Sequence, residues 1–105
     1  MFTRHVTMEL KANSAAEFNR IIENEILPLL RKQKGFRDEI TFIAPERSEA
    51  IANSFWDTKE DAEAYNHAAY PEVLKALSTV VEGTPTVKTF DLVNATFYTA
   101  AAKAA

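Results

Sequence analysis

The chain has 105 residues, enough for one domain with a single buried core. Its net charge is −3 and its basic residues are scattered, so nucleic-acid binding is not expected. The lack of cysteine excludes disulfides, thiolate metal sites and a cysteine nucleophile, and is compatible with a cytoplasmic protein. Apolar runs are too short for a membrane span, so we expect neither a signal peptide nor a membrane partner.

The first part of the sequence predicts a strand followed by a helix. Residues 3–11 alternate between apolar and polar side chains, which is typical of a strand with one face more buried than the other. Ser14 and Glu17 are spaced for a capping box at the start of the helix. Pro28 lies inside the helical pattern and predicts a kink or a break, and Gly35 can end the helix in a left-handed conformation.

The rest of the chain predicts three more strands and a second helical region. Thr58 is expected to cap that helix, and Pro71 to interrupt it or begin a new turn. Gly83-Thr84-Pro85 is predicted to interrupt regular secondary structure before the last strand. The three predicted strands cover about residues 36–44, 49–56 and 87–98.

The element order β-α-β-β-α-β predicts an α+β, ferredoxin-like fold: a four-stranded antiparallel sheet with both helices on one face. One such domain is predicted for residues 1–98, and the alanine-rich residues 99–105 are predicted to form a flexible tail. The strands are apolar on both faces, so the helices would leave one apolar face bare. We therefore expect a homodimer that joins two open sheet faces in a dimeric α+β barrel.

The stretch Ser54–Asn66, SFWDTKEDAEAYN, resembles the antibiotic biosynthesis monooxygenase domain. Residues 26–30, ILPLL, and the Gly35-Phe36 step are similar to it too, and the resemblance extends over about residues 3–97. It implies the ferredoxin-like fold and the dimeric barrel. Members of the family include oxygenases that act on phenols and quinols without a cofactor, haem-degrading enzymes and proteins of no known activity.

Two branches of that family can be compared residue by residue. The haem-degrading branch has an asparagine on the first strand, a tryptophan on the second helix and a histidine that ligates iron. Here residues 5–9 contain no asparagine, the helix position holds Tyr65, and the ligand position falls near Lys75 with no histidine after His67, so haem degradation is not expected. The actinorhodin-type oxygenases have an asparagine and a tryptophan on one face of the third strand. Asn53 and Trp56 are an odd step apart, which predicts opposite faces.

Six residues are candidates for a ligand or catalytic site: His5, Asn53, Trp56, Tyr65, His67 and Tyr70. Histidine is the side chain that titrates nearest neutral pH, and His5 is the candidate base. The spacing of the two histidines predicts no metal site. The aromatic residues could line a pocket or pack in the core. The Asn53 side chain could form a hydrogen bond within the sheet or contact a ligand. His67 could equally serve the C-terminal end of its helix.

The resemblance implies a cofactor-independent monooxygenase acting on a small aromatic phenol or quinol in a cavity between sheet and helices. The alternative is a non-enzymatic dimeric barrel that binds a small apolar ligand or serves as an interaction module. The oxygenase hypothesis predicts that His5 or His67 faces the cavity. The alternative predicts a cavity whose ligand has no titratable group within hydrogen-bonding reach.

Overall fold

The structure is a computed structural model that describes residues 1–99, and its elements follow the predicted order. The strands are β1 (Phe2–Leu10), β2 (Phe36–Ile43), β3 (Glu49–Trp56), β4 (Val81–Asp91), β5 (Asn94–Ala95) and β6 (Tyr98–Thr99). The helical segments are α1 (Ala15–Ile21), a π-helical turn (Ile22–Ile26), α2 (Leu27–Arg31), α3 (Lys59–Ala68) and α4 (Tyr70–Leu77). Thr99 lies in β6, and the rest of the predicted tail lies outside the described residues.

Strands β1 to β4 form one antiparallel sheet in the order β2-β3-β1-β4. The helices cover one face of it, so the predicted ferredoxin-like α+β fold is confirmed. The core lies between that face and the helices. Its largest fully buried side chains are Trp56 and Phe18.

The two helix starts predicted from capping residues behave differently. Ser14 precedes α1, but its hydroxyl donates to a backbone carbonyl two residues earlier, and Glu17 forms an ion pair with Arg20 at 2.6 Å. The predicted capping box is therefore wrong, because Glu17 takes a charged partner on its own helix. The Thr58 hydroxyl accepts the backbone N–H of Asp61 at 3.1 Å, as predicted.

Both prolines within helical sequence interrupt the helix, as predicted. Pro28 lies in the first turn of α2, directly after the π-helical turn, where Leu27 donates its N–H to the carbonyl of Ile22, five residues back. Proline has no N–H to continue an α-helical ladder, and a wider turn before it accommodates the break. Pro71 occupies the first turn of α4. Ile22 and Ile26 of the π-helical turn are both buried.

The predicted break at Gly83-Thr84-Pro85 is wrong, because β4 begins at Val81 and runs through this stretch to Asp91. Gly83 has a φ of 63°, and the register between β4 and β1 shifts beside it. A bulge lets an edge strand bend without ending, and an edge strand also tolerates the missing N–H of Pro85. The predicted last strand also ends earlier, since the chain after β4 forms the short β5–β6 hairpin.

Gly35 and Gly83 form a matched pair of tests, because both have positive φ but differ in crowding. A Cβ on Gly35 would lie 2.7 Å from Asp61 Cβ, whereas within the described chain a Cβ on Gly83 meets open space. Gly83→Ala should lower the free energy of unfolding by about 1–2 kcal/mol, the cost of left-handed backbone. Gly35→Ala should cost about 1–3 kcal/mol more, because the start of α3 must also move.

Urea denaturation of both variants checks this difference. Equal losses in the two variants would contradict the close packing of the Gly35 turn against α3.

Candidate functional site

Consecutive residues of β1 point to opposite faces of the sheet, so Arg4 and His5 lie in different environments. Arg4 pairs across the strands with Ser54 and lies under the helices. His5 pairs with Asn53 and lies on the open face, where its Nδ1 is 2.7 Å from Asn53 Oδ1. This alternation divides the candidate residues between two separate surfaces.

The open face surrounds the His5–Asn53 pair with apolar side chains. Ile40, Phe42 and Phe90 are 40%, 54% and 51% exposed. The His5 ring meets the Phe90 ring edge to face, with centroids 6.2 Å apart. Several large apolar side chains exposed on one sheet face mark an interaction surface.

Trp56, Tyr65 and Tyr70 form an aromatic row on the helix side. Trp56 is 0% exposed, its ring centroid lies 4.9 Å from that of Tyr65, and its Nε1 donates to Ser54 Oγ at 2.9 Å. The Tyr65 and Tyr70 centroids are 6.0 Å apart. Burial raises the pKa of Tyr65 to about 12, so its hydroxyl stays protonated at neutral pH.

The Arg4 guanidinium completes this row. It lies 4.3 Å from the Tyr70 ring centroid and 5.0 Å from that of Tyr65, and its Nη2 donates to Asn66 Oδ1 at 3.1 Å. Arg4 is 3% exposed, and none of the ion pairs within residues 1–99 includes it. The aromatic faces stabilise the cation, but within residues 1–99 no carboxylate lies within ion-pairing distance of it.

Arg4 lies between an inner apolar cavity and an outer groove. The inner cavity has a volume of about 40 Å³ and is bounded largely by apolar side chains, including Val6, Met8, Ile22, Ile26, Val73 and Leu77. The groove, about 300 Å³, runs between α3 and the strands β1 and β4, beside Phe2, Lys59 and Val87. A ligand at Arg4 could therefore extend in both directions.

Glu39 of β2 lines the inner cavity across from Arg4. Ser54 pairs with Arg4 on one side and with Glu39 on the other, so the three residues form a row across three strands. Strands lie about 4.8 Å apart, which puts the outer two Cα atoms about 10 Å apart. Glu39 Oε2 accepts a hydrogen bond from Thr41 Oγ1 at 2.6 Å. Burial raises the pKa of the Glu39 carboxyl group, and the Thr41 hydrogen bond opposes this effect.

The structure brings together three of the six candidates: Trp56, Tyr65 and Tyr70. The predicted separation of Asn53 from Trp56 is confirmed, since they lie on opposite faces of β3. The expectation that His5 faces a cavity between sheet and helices is wrong, because the alternation of β1 directs it to the open face. His67 is exposed near the end of α3 and lines neither the inner cavity nor the groove, as the described residues define them.

Arg4 and Glu39 are the two charged residues of the cavity, and sequence reasoning missed both. Arg4 has a readable signal, because it falls in phase with Val6 and Met8 on the buried face of β1. Glu39 has no such signal in the sequence. A register shift between Phe36 and Asp38 reverses the alternation of side chains along the rest of β2, and this turns Glu39 toward the helices.

Residues 1–99 contain no group of three or more histidine, aspartate or glutamate side chains placed to hold a metal ion. None of the helices in this range is long and apolar enough to cross a membrane.

No protein-family model matches the sequence, and no curated protein matches it significantly. Solved structures do match. A monooxygenase from Streptomyces coelicolor, solved with the ligand nanaomycin D, gives a TM-score of 0.77 at 15% identity, over 90% of this chain and 88% of its own. A cofactor-independent oxygenase from Streptomyces nogalater gives 0.75 at 12% identity, over 90% and 95%.

A protein from Deinococcus radiodurans, assigned to the antibiotic biosynthesis monooxygenases, gives a TM-score of 0.73 at 15% identity, over 90% of this chain and 95% of its own. Structural matches at such low sequence identity establish the fold, whereas the function has to be argued from the residues of the site. The chain has the fold of the antibiotic biosynthesis monooxygenases, as the resemblance in its sequence predicts.

Proposed function

We propose that this protein is a monooxygenase that works without a cofactor on a small aromatic phenol or quinol bound at Arg4. The observation that carries the proposal is the Arg4 guanidinium, which is 3% exposed, lies on two tyrosine rings and has no carboxylate partner in residues 1–99. A phenolate would supply the missing charge, and its ring would suit the aromatic and apolar walls.

The fold supports the reaction class by analogy. Two of the similar structures are a monooxygenase solved with nanaomycin D and a cofactor-independent oxygenase. The space at Arg4 favours a smaller substrate. Ligand sites for drug-sized molecules are commonly about 300–1,000 Å³. The inner cavity, about 40 Å³, holds only part of a ring, and the groove of about 300 Å³ holds the remainder, so a single-ring phenol fits better than a polycycle.

The proposed chemistry begins with loss of the phenol proton. A cation about 4–6 Å away lowers the pKa of such an acid by about 1–3 units, so Arg4 favours the phenolate. For a phenol with hydrogen on the ring carbon opposite the hydroxyl, the electron-rich anion then reacts with oxygen at that carbon. One oxygen atom becomes the second quinone oxygen and the other leaves as water. The ring supplies all four electrons, so no external reductant is needed, and the buried Trp56 and Tyr65 keep water from the inner side of the site.

The proposal includes a homodimer through the open face. Ile40, Phe42 and Phe90 lie there with the His5–Asn53 pair. In a two-fold symmetric dimer, this apolar patch of one chain would pack against the same patch of the second chain. Two four-stranded sheets packed this way would form the dimeric barrel that the resemblance implies. His5 would then lie at the interface, on the opposite face of the sheet from the proposed substrate, so neither His5 nor the exposed His67 is the base that the sequence predicts for an oxygenase.

Arg4→Met tests the binding role, because methionine keeps apolar bulk between the tyrosine rings but removes the charge. We expect the wild-type protein to consume oxygen with at least one single-ring phenol or quinol in a panel, measured with an oxygen electrode. Arg4→Met should lower kcat/KM about 100-fold, the lower end of the effect of removing a hydrogen-bond donor that stabilises a developing oxyanion.

Arg31→Met is the matched control, since Arg31 is exposed in α2, and it should leave the rate unchanged. Unchanged activity in Arg4→Met would contradict the site. Binding of phenols without oxygen uptake would favour the alternative of a non-enzymatic ligand-binding barrel.

Phe42→Glu tests the dimer. Light scattering on the wild-type protein should give twice the chain mass of 11.8 kDa. Phe42→Glu, at a side chain 54% exposed on the open face, should give the monomer mass because each copy would bury an unpaired carboxylate in the interface. Ala64→Glu, exposed on α3, should stay dimeric. A monodisperse wild-type monomer would contradict the proposed assembly.

A further inference from the structure

We propose that Glu39 is the catalytic base of this site: its carboxylate takes the proton of the phenol hydroxyl while the Arg4 guanidinium holds the phenolate. The inference rests on the function proposed above and adds the residue that begins the reaction. Nothing in the sequence resemblance assigns a role to this position.

The first support is the row Arg4–Ser54–Glu39 across β1, β3 and β2. The two charged side chains start about 10 Å apart at their Cα atoms, on one face of the sheet, and both line the inner cavity. They do not form an ion pair within residues 1–99, where the four pairs involve other residues. A phenol between them could therefore donate its proton to one and leave its oxygen at the other.

The second support is the contrast between Glu39 and its neighbours on β2. Arg37 and Asp38 are exposed, and Arg37 pairs with Asp57 at the surface. Glu39 instead turns under the helices, where its hydrogen bond from the Thr41 hydroxyl occupies one of its two oxygens. Glu39 is half-buried, and partial burial of a carboxylate with no ion-pair partner in residues 1–99 is unfavourable for stability, so this arrangement is better explained by a role in the cavity.

The third support is that the other titratable groups at the cavity are unsuited to the task. Arg4 of β1, Tyr65 of α3 and Tyr70 of α4 line the cavity with Glu39. Arginine stays protonated, and burial raises the pKa of Tyr65 to about 12 and also raises the pKa of Tyr70, so neither tyrosine accepts a proton at neutral pH. Burial raises the pKa of Glu39 as well, which makes its carboxylate a better proton acceptor.

The protons balance over the cycle. Glu39 first takes the hydroxyl proton, and the phenolate adds oxygen to give a ring peroxide anion. The protonated Glu39 returns its proton to that anion to form the hydroperoxide. Its carboxylate then removes the ring C–H proton as the O–O bond breaks, and the departing hydroxide takes this proton and leaves as water. Glu39 ends the cycle as the carboxylate, and the products are a quinone and water.

Binding of 4-nitrophenol tests the base without turnover, because its ring position opposite the hydroxyl is blocked. Calorimetric titration in two buffers of different ionisation enthalpy counts the protons released, and absorbance reports whether the bound probe is phenolate. At a pH where the free probe is protonated, the wild-type protein should bind it as phenolate with almost no proton released, because Glu39 keeps the proton. Glu39→Gln should release about one proton per bound phenolate or bind the neutral phenol.

The control Glu46→Gln, in the exposed β2–β3 turn, should behave like the wild-type protein. Release of about one proton by the wild-type protein, or phenolate binding by Glu39→Gln without proton release, would overturn the role of Glu39 while leaving the Arg4 site standing. Failure of the wild-type protein to bind the probe would overturn the site itself, and the proposed function with it.

Glu39→Gln should also remain folded, and pH-dependent melting shows whether Glu39 is structural. A raised pKa means that the stability contributed by Glu39 is fully present below its ordinary value of 4.5 and is lost as the pH rises through the folded-state value. The variant should therefore melt at a higher temperature than the wild-type protein at neutral pH and at the same temperature in acid. A lower melting temperature at neutral pH would identify Glu39 as a structural residue and contradict the inference.

Discussion

Arg4 lies on a central strand of the sheet, with its guanidinium 4.3 Å from the ring of Tyr70 and 5.0 Å from that of Tyr65. A cation in this position needs aromatic faces from two helices and a strand register that turns it toward them. The same register sends the next residue, His5, to the opposite face. Burial of this one cation therefore depends on the docking of α3 and α4. The strand register that buries Arg4 also places Arg4 and His5 on opposite faces of the sheet.

The two faces of the sheet differ in structure and in proposed role. The helix side encloses a small apolar cavity with a cation at one wall and a carboxylate at another, Arg4 and Glu39. The open side presents Ile40, Phe42 and Phe90 to solvent around a hydrogen-bonded His5–Asn53 pair. Strands β1 and β3 contribute to both faces, so packing of a second copy on the open side would also hold in place the strands that carry Arg4 and Ser54.

Much of the fold could be predicted from the sequence because local signals agree with the tertiary structure. Three such signals each act within a few residues: the cap at Thr58, the prolines at positions 28 and 71, and the alternation of residues 3–11. The odd step from Asn53 to Trp56 likewise places them on opposite faces whatever the rest of the chain does. The predicted capping box failed because Arg20, a residue on the helix, competes for Glu17.

The candidate site was predicted only in part, because its polar residues depend on pairings that span the chain. On β2, Ile40 and Phe42 face the open side while Glu39 and Thr41 face the helices, the reverse of what hydrophobicity alone suggests. The bulge before Asp38 and the left-handed Gly83 arise from register with neighbouring strands, which a single sequence does not display. Three aromatic residues were found, but the cation and the carboxylate beside them were not.

A crystal structure of the protein with 4-nitrophenol tests the central claim most directly. We predict that the phenol oxygen lies within hydrogen-bonding distance of the Arg4 guanidinium, with the ring beside Tyr65 and Tyr70 and pointing between the sheet and the helices. A phenol bound instead on the open face beside His5, with the Arg4 cavity empty, would contradict it.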